Sequence, residues 1–390
     1  MNDFIPTIRG SASIELMAKA AELKQRGIDV IGLGGGDPDF DTPEAIREAA
    51  IAAIRRGETH YAVGKGFPAL REKIREKLLT ENGVDRDTEE IIVTPGAKMA
   101  IYLAVRACVN PGDEVLILTP SWVSYAEMVR SAGAVPVSAE LSASDNYAIR
   151  ADFLEKFVSE RTKMLIVNTP NNPTGRVMTE EEAKAIVRFA QKRDITVLSD
   201  EVYEKIVYEG RKNISLGSFP EISDRVITVN GFSKTYAMTG WRLGYLAADR
   251  KYIDPIYKLY SHTSTGTSPF IQAAAIKAFD CGEDVSRMVR TYGERRQAFL
   301  SKLKEIPGTE VRFPEGAFYA WVSFDLPGVT DPASFLLERA NVIGVPGIAY
   351  GETENRYVRF SFANGIDDLL RAAERIGNAV GNRKRGLENA

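Results

Sequence analysis

The sequence predicts an α/β fold with a second, smaller α+β domain, and three observations predict it. From residue 91 to 247, short apolar runs alternate with longer amphipathic stretches, the pattern of strands joined through helices. The loops that follow those runs are polar, rich in glycine and proline, and hold most of the residues with chemistry. Beyond about Gly282 a long charged helix precedes strands and helices of mixed order, which reads as a separate domain.

Along the chain, residues 14–26 read as an amphipathic helix stopped by Gly27. A short strand at 30–33 runs into Gly34-Gly35-Gly36-Asp37-Pro38-Asp39-Phe40, where the glycines suit either a sharp turn or a close approach of backbone to a ligand. Thr42 is the expected N-cap of the next helix, with Pro43 in its first turn and an end near Gly57. Residues 60–66 are a glycine-bearing loop before a helix at 68–81; Tyr61 in that loop is either a packed aromatic or a hydroxyl donor to a ligand.

The strand at 91–94 meets a tight turn, Pro95-Gly96-Ala97-Lys98, and a helix at 99–109. Free N–H groups at such a helix start, with the positive end of the helix dipole, suit a phosphate, although many βα units share the feature. The strand at 115–118 ends at Trp122, which is either core or a flat face for an aromatic ring. The strand at 164–167 leads into Asn168-Thr169-Pro170-Asn171-Asn172-Pro173-Thr174-Gly175, a stiff polar loop. Thr179 and Glu182 form a capping box for the helix at 180–192. The strand at 195–198 ends at Asp200-Glu201, and strands at 226–229 and 243–247 flank a segment holding Lys234 and Arg242. In the C-terminal part, a helix at 284–305, strands at 311–313 and 318–324, a helix at 332–340, strands near 342 and at 357–362 and a helix at 366–380 are expected. Ligands of open α/β sheets bind beyond strand carboxyl ends, so the Trp122, Asn172, Asp200 and Lys234 loops converge on one site.

Composition narrows the function. The chain has 390 residues, 44% hydrophobic and 26% charged, with a net charge of -3, which gives no electrostatic reason to expect nucleic acid or an anionic membrane surface. No apolar run is long enough to span a bilayer, and the first residues lack the apolar run of a signal peptide. Only two cysteines, Cys108 and Cys281, fit a reducing, cytoplasmic setting, with Cys108 expected in the core. Two histidines and no Cys/His ligand spacing leave no metal site to propose.

Lys234 admits two readings. A lysine between two buried strands is costly unless paired or chemically altered, and an imine with an aldehyde cofactor is one such alteration. Arg242 then suits an anionic group of the same cofactor. The other reading is a surface turn with two solvated cations.

The motifs GDPDF, HYAVGKGFPALR, TPGAK, NTPNNPTG, SDEVY, SKTYAMTGWRLGY and VRFSF decide the matter by their order and spacing over nearly the whole chain. The chain resembles a class I aminotransferase of the aspartate aminotransferase superfamily, in its aspartate/prephenate subgroup, with pyridoxal 5′-phosphate (PLP) as cofactor. The resemblance implies fold type I: a large domain at 46–281 with a mostly parallel seven-stranded sheet, and a small domain from 1–45 and 282–390. It implies that Lys234 carries the cofactor and serves as general base, that Asp200 pairs with the pyridine nitrogen, and that Tyr203 and Asn172 donate to the 3-oxygen. Trp122 is implied to stack on the ring. Gly96, Ala97, Ser233 and Arg242 would hold the phosphate, with Tyr61 reaching it from the neighbouring subunit of a homodimer with shared active sites. Arg359 would grip the substrate α-carboxylate, Gly36 would close over it, Lys98 would meet a distal carboxylate, and Ser13 lies where the subgroup places a small hydroxyl residue.

The implied activity is amino transfer between an L-amino acid, acidic or aromatic, and a 2-oxo acid by a ping-pong mechanism. Elimination, replacement or oxidation on the same scaffold is the alternative, and the sensory domain of a transcription regulator would need a basic helix-turn-helix segment that the chain does not show. Three departures from the subgroup pattern fall near the site: Ser121 where Tyr is common, Asp37 where Glu is common, and Gly231 where some relatives have Ser.

Overall fold

The computed structural model describes residues 5–10, 12–62, 64–351 and 355–388, and the side chains of all of these except 12–14, 17 and 384–388. Its main body is a seven-stranded sheet ordered Ile91–Thr94, Gly244–Ala247, Val226–Gly231, Thr196–Asp200, Thr162–Asn168, Glu114–Thr119, Val135–Glu140. Every neighbouring pair is parallel except the two made by Gly244–Ala247, which runs antiparallel between Ile91–Thr94 and Val226–Gly231. The central strands are buried along nearly their whole length, as expected when both faces are covered. On one face Ile92, Ile117, Ile166 and Val229 pack on helices Ala97–Cys108, Ser124–Ser131 and Arg250–Thr263. On the other, Leu116, Leu165 and Val197 pack on helix Glu180–Arg193 through Ala183, Ile186 and Phe189.

The smaller body is a four-stranded antiparallel sheet ordered Val345–Pro346, Tyr357–Ser361, Tyr319–Phe324, Thr309–Val311. Helices Gly282–Lys304 and Ile366–Glu388 cover it, with Tyr292, Phe299, Leu369 and Ile376 in the shared core. The N-terminal segment belongs spatially to this layer: Ile31–Gly32 pairs in parallel with Val342–Ile343, and Leu33 exchanges backbone bonds with Ile343 and Ser361. The chain therefore passes from the small layer at Leu33 across to helix Glu44–Arg55, and residues 34–42 form a strap between the two bodies.

Several elements depart from expectation, each for a physical reason. Strand Val135–Glu140 and helix Ser124–Ser131 were not foreseen; the strand is at a sheet edge, carries Pro136 and is only partly buried, so no apolar run marks it. The helix expected from 99 begins at Ala97, because Gly96 with φ 87 turns the chain directly into it. The expected helix at 68–81 is α-helical over Pro68–Lys77 and closes with a π turn, Leu78–Asn82, ended by Gly83 in the left-handed region. Thr42 is not a cap: Pro43 holds that position, while the Thr42 hydroxyl donates to Ala237 O at 2.6 Å and accepts from Trp241 Nε1 at 2.9 Å. It ties the end of the strap to the segment after Lys234. Cys108 is half-buried at the edge of the core, and both cysteines are free thiols. Among the described residues, no helix is long and apolar enough to cross a membrane and no His/Cys/Asp/Glu group could hold a metal.

The Thr179–Glu182 capping box forms as expected, and Glu182 does more than cap. Its buried carboxylate also accepts from Ile149 N at 2.7 Å and pairs with Arg176 at 2.6 Å. Removing it strands a largely buried guanidinium and a buried N–H. Glu182→Ala should therefore cost about 3 kcal/mol or more, against about 1 kcal/mol for Thr179→Ala, which loses the cap alone. Denaturant midpoints of the two variants measure this, and equal losses would contradict it.

Candidate active site

Strand carboxyl ends and the strap enclose a cavity of about 410 Å³ between the two bodies. The strand Val226–Gly231 ends in a tight turn that places Lys234 in this cavity. The side chain is partly buried and its ammonium is surrounded by protein, donating to Gly36 O at 2.5 Å. Burial pushes its pKa down to about 8; Asp37 opposes this, the nearby cations Arg359 and Arg242 add to it, and Asp200 opposes it.

Asp200 is the last residue of its strand and is 3% exposed. Its carboxylate accepts from Tyr125 Oη at 2.6 Å and from Val202 N at 3.2 Å, so it forms a local turn and caps no helix. Burial pushes its pKa up to about 6, against the pull of Tyr125, Val202 N and the Lys234 charge, which leaves it ionised at neutral pH. The adjacent Glu201 is held on another side by Ser199 Oγ, Asn213 Nδ2 and Ser215 Oγ, so of the two neighbouring carboxylates only Asp200 lines the cavity.

One end of the cavity is built for an anion. Helix Ala97–Cys108 starts there with free N–H groups. Arg242 closes over the turn: a Cβ on Gly96 would lie 2.6 Å from Arg242 Nη2, and one on Gly244 would lie 2.4 Å from Ala97 N, so both positions need glycine. Arg242 Nη1 donates to Thr239 O at 2.9 Å, and neither Arg242 nor Lys98 pairs with a carboxylate among the described residues. The Lys98 ammonium lies 4.9 Å from the Trp122 ring centroid, and burial followed by the Arg242 charge lowers its pKa. Trp122 is half-buried and presents to the cavity, with Tyr125 edge-on beneath it at 5.3 Å. Ser233 is 8% exposed and also lines the cavity.

The opposite end presents a second guanidinium. Arg359, 3% exposed in the middle of strand Tyr357–Ser361, donates from Nη1 to Asn172 Oδ1 at 2.9 Å and from Nη2 to Gly34 O at 2.7 Å. Its guanidinium lies 4.2 Å from the Tyr319 ring centroid, and its Nε is buried without a protein partner. A buried, uncompensated guanidinium with a donor to spare is costly unless an anion arrives. Because Asn172 Oδ1 serves Arg359, the amide nitrogen is the end left for a ligand. Tyr203 Oη lies 2.7 Å from Tyr319 Oη.

Thus Gly36, Ala97, Lys98, Trp122, Asn172, Asp200, Tyr203, Ser233, Lys234, Arg242 and Arg359 line one cavity, with Gly96 directly behind it. Tyr61 is 94% exposed and away from it, and the Ser13 side chain lies outside those described. Sequence reasoning missed Tyr125 and Tyr319. Tyr125 follows Trp122 by one helical turn, the only signal for it; Tyr319 sits in an apolar strand sequence that marks no partner.

Comparison with known proteins agrees with this geometry. The chain is 42% identical over 382 residues, covering 96% of each chain, to the probable aspartate/prephenate aminotransferase of Aquifex aeolicus. It superposes on Thermus thermophilus aspartate aminotransferase, solved with maleate, with a TM-score of 0.92, 37% identity and coverage of 97% of this chain and 99% of that one. The aromatic aminotransferase of Pyrococcus horikoshii gives 0.89, 40% identity, and 94% and 99% coverage. The family model for aminotransferase class I and II matches residues 28–376, and the chain belongs to that family, whose aspartate aminotransferase members use pyridoxal 5′-phosphate.

Proposed function

We propose that this chain moves an amino group between an L-amino acid, acidic or aromatic, and a 2-oxo acid by a ping-pong mechanism. The observation that carries the reading is that the partly buried Lys234 amine shares one cavity with the buried Asp200 carboxylate and a carboxylate-free Arg359. The donor set fits PLP: a glycine turn and helix start with unpaired Arg242 for a phosphate, a flat indole for a ring, and a buried carboxylate for a ring nitrogen. When bound, PLP supplies an aldehyde for Lys234 and a ring that takes up the electron pair released when the amino acid loses its Cα proton.

Each residue then has a bounded task. The free N–H at Ala97, Arg242 and Ser233 would hold the phosphate at the Gly96 turn, whose own N–H is taken by Thr94 O at 2.6 Å, and Trp122 would face the ring. Asp200, kept ionised and oriented by Tyr125, holds a proton at the ring nitrogen. The Asn172 amide and Tyr203 hydroxyl donate to the 3-oxygen. Lys234, whose pKa falls to about 8 so that its neutral form is reached more readily than in an exposed lysine, would take the Cα proton and hold it for return. Arg359 grips the α-carboxylate, and Gly36 covers it from the strap. Lys98 meets a distal carboxylate. Maleate in the Thermus relative is a dicarboxylate, and its aromatic relative from Pyrococcus supports a site that also takes rings.

The site reading extends to a homodimer with shared active sites. Helix Glu44–Arg55 exposes Ile51 and Ile54, and an apolar groove beside it is lined by Ala49, Ala52, Phe67, Ala273 and Ile276. This surface suits a second copy, which would bring its Tyr61 to the phosphate. The division into a small domain from 1–45 and 282–390 and a large domain at 46–281 follows the pairing of Ile31–Gly32 with Val342–Ile343. Two free cysteines suit a reducing, cytoplasmic setting.

Two outcomes are expected. Only a neutral amine attacks an aldehyde, so cofactor-free protein should take up PLP at a rate that rises with pH and levels off above about 8. Asp37 favours the charged ammonium, so Asp37→Asn should move that inflection to lower pH; stopped-flow absorbance reads both, and an inflection near 10 would refute the enclosed amine. Second, Arg359→Ala should cut 2-oxo acid formation from every amino acid by roughly 100-fold in kcat/KM, while Lys98→Ala should weaken aspartate and glutamate but spare alanine and phenylalanine. Equal loss for neutral and acidic substrates in Lys98→Ala, together with weaker PLP retention, would make it a phosphate-side cation instead.

A further inference from the structure

Tyr319 opens strand Tyr319–Phe324, is 1% exposed and lines the cavity, yet the reaction outlined above assigns it no task. It touches three parts of the site at once. Its hydroxyl lies 2.7 Å from Tyr203 Oη. Its ring lies under Arg359, with the guanidinium carbon 4.2 Å from the centroid. The strap backbone passes so close that a Cβ at Gly36 would lie 2.7 Å from Tyr319 Oη. The rings of Tyr319 and Tyr203 meet edge-on at 5.7 Å, so neither hydroxyl is free to drift.

Each phenol carries one proton, so across a 2.7 Å contact one hydroxyl donates and the other accepts. The direction matters. If Tyr203 donates to Tyr319, its only proton is spent inside the protein. If Tyr319 donates, the Tyr203 proton is left to face the cavity. The more acidic hydroxyl is the better donor. The charged groups acting on Tyr319 are Arg359, which favours its ionisation, and Asp37, which opposes it with a smaller influence. Burial raises both phenols; beyond it, those acting on Tyr203 are Arg359, and Asp200, which pushes it the other way. Either hydroxyl can donate across this contact, and a guanidinium seated on the Tyr319 ring favours Tyr319 as the donor.

We infer that Tyr319 is a positioning residue: it donates its hydroxyl proton to Tyr203 Oη, so that Tyr203 presents its own proton to the 3-oxygen of PLP, while its ring seats the Arg359 guanidinium. The inference rests on the amino-transfer reading. A hydroxyl that accepts a hydrogen bond is a stronger donor, since bonds in a chain polarise one another. A stronger donor at the 3-oxygen stabilises its negative charge and loosens the proton on the Lys234–cofactor bond.

The test is a pH titration of the visible absorbance of holoenzyme, which reports that proton. Tyr319→Phe keeps the ring and removes the hydroxyl. It should raise the titration midpoint by roughly half a pH unit and leave KM for amino acids within about threefold. Tyr203→Phe should raise the midpoint further, and the double variant should titrate like Tyr203→Phe alone, because Tyr319 acts only through Tyr203. No shift in Tyr319→Phe, or equal shifts with and without Tyr203, would overturn the inference while leaving the amino-transfer reading intact. Wild-type protein that forms no lysine-bound chromophore with PLP would overturn both.

Discussion

One constraint organises the site: a lysine ammonium enclosed by protein. A charged amine taken out of water is costly, and Lys234 offsets that cost only in part, through Gly36 O and the more distant charges of Asp37 and Asp200. Two cations, Arg359 and Arg242, press the other way. The result is an amine whose pKa is lowered to about 8, closer to neutral pH than an exposed lysine, which suits a group that must attack a carbonyl and then carry a proton. The surrounding backbone serves this placement. Strand Val226–Gly231 delivers the lysine, and Gly244–Ala247 returns antiparallel beside it, close enough to the Gly96–Ala97 backbone that only glycine fits at 244, while φ 87 favours glycine at 96.

The second requirement is that the two bodies act on one substrate. The strap at 34–42 joins them. Gly34 O accepts from Arg359, Gly36 O from Lys234, Asp37 from Thr239, and Asp39 makes a two-point ion pair with Arg295 at 2.7 and 2.8 Å. Arg359 belongs to the small sheet but donates to Asn172, in the loop after strand Thr162–Asn168 of the large one, so the two bodies are tied together at the cavity.

Much of this was legible in the sequence because the central strands are buried on both faces. Their apolar runs stand out, and the polar residues that follow them, Asp200 and Lys234 among them, mark the cavity rim. The exposed edge strand Val135–Glu140 has no such run, and Pro136 disguises it. Arg359 was legible only through family resemblance, since a single arginine in a strand gives no hint that its neighbours are Tyr319 and Asn172. Thr42 was misread because local capping chemistry and a partner 195 residues away compete for the same hydroxyl, and the distant partner wins. Tyr125 and Tyr319 act through hydroxyl contacts made across 75 and 116 residues, which no local pattern encodes.

The enclosed amine is the central claim, and one measurement addresses it directly. Holoenzyme prepared with PLP is reduced with borohydride, digested and mapped by mass spectrometry. The account predicts a single pyridoxyl group on Lys234, in the peptide spanning the turn after strand Val226–Gly231. Label on Lys98, the other lysine lining the cavity, or spread over surface lysines would contradict it.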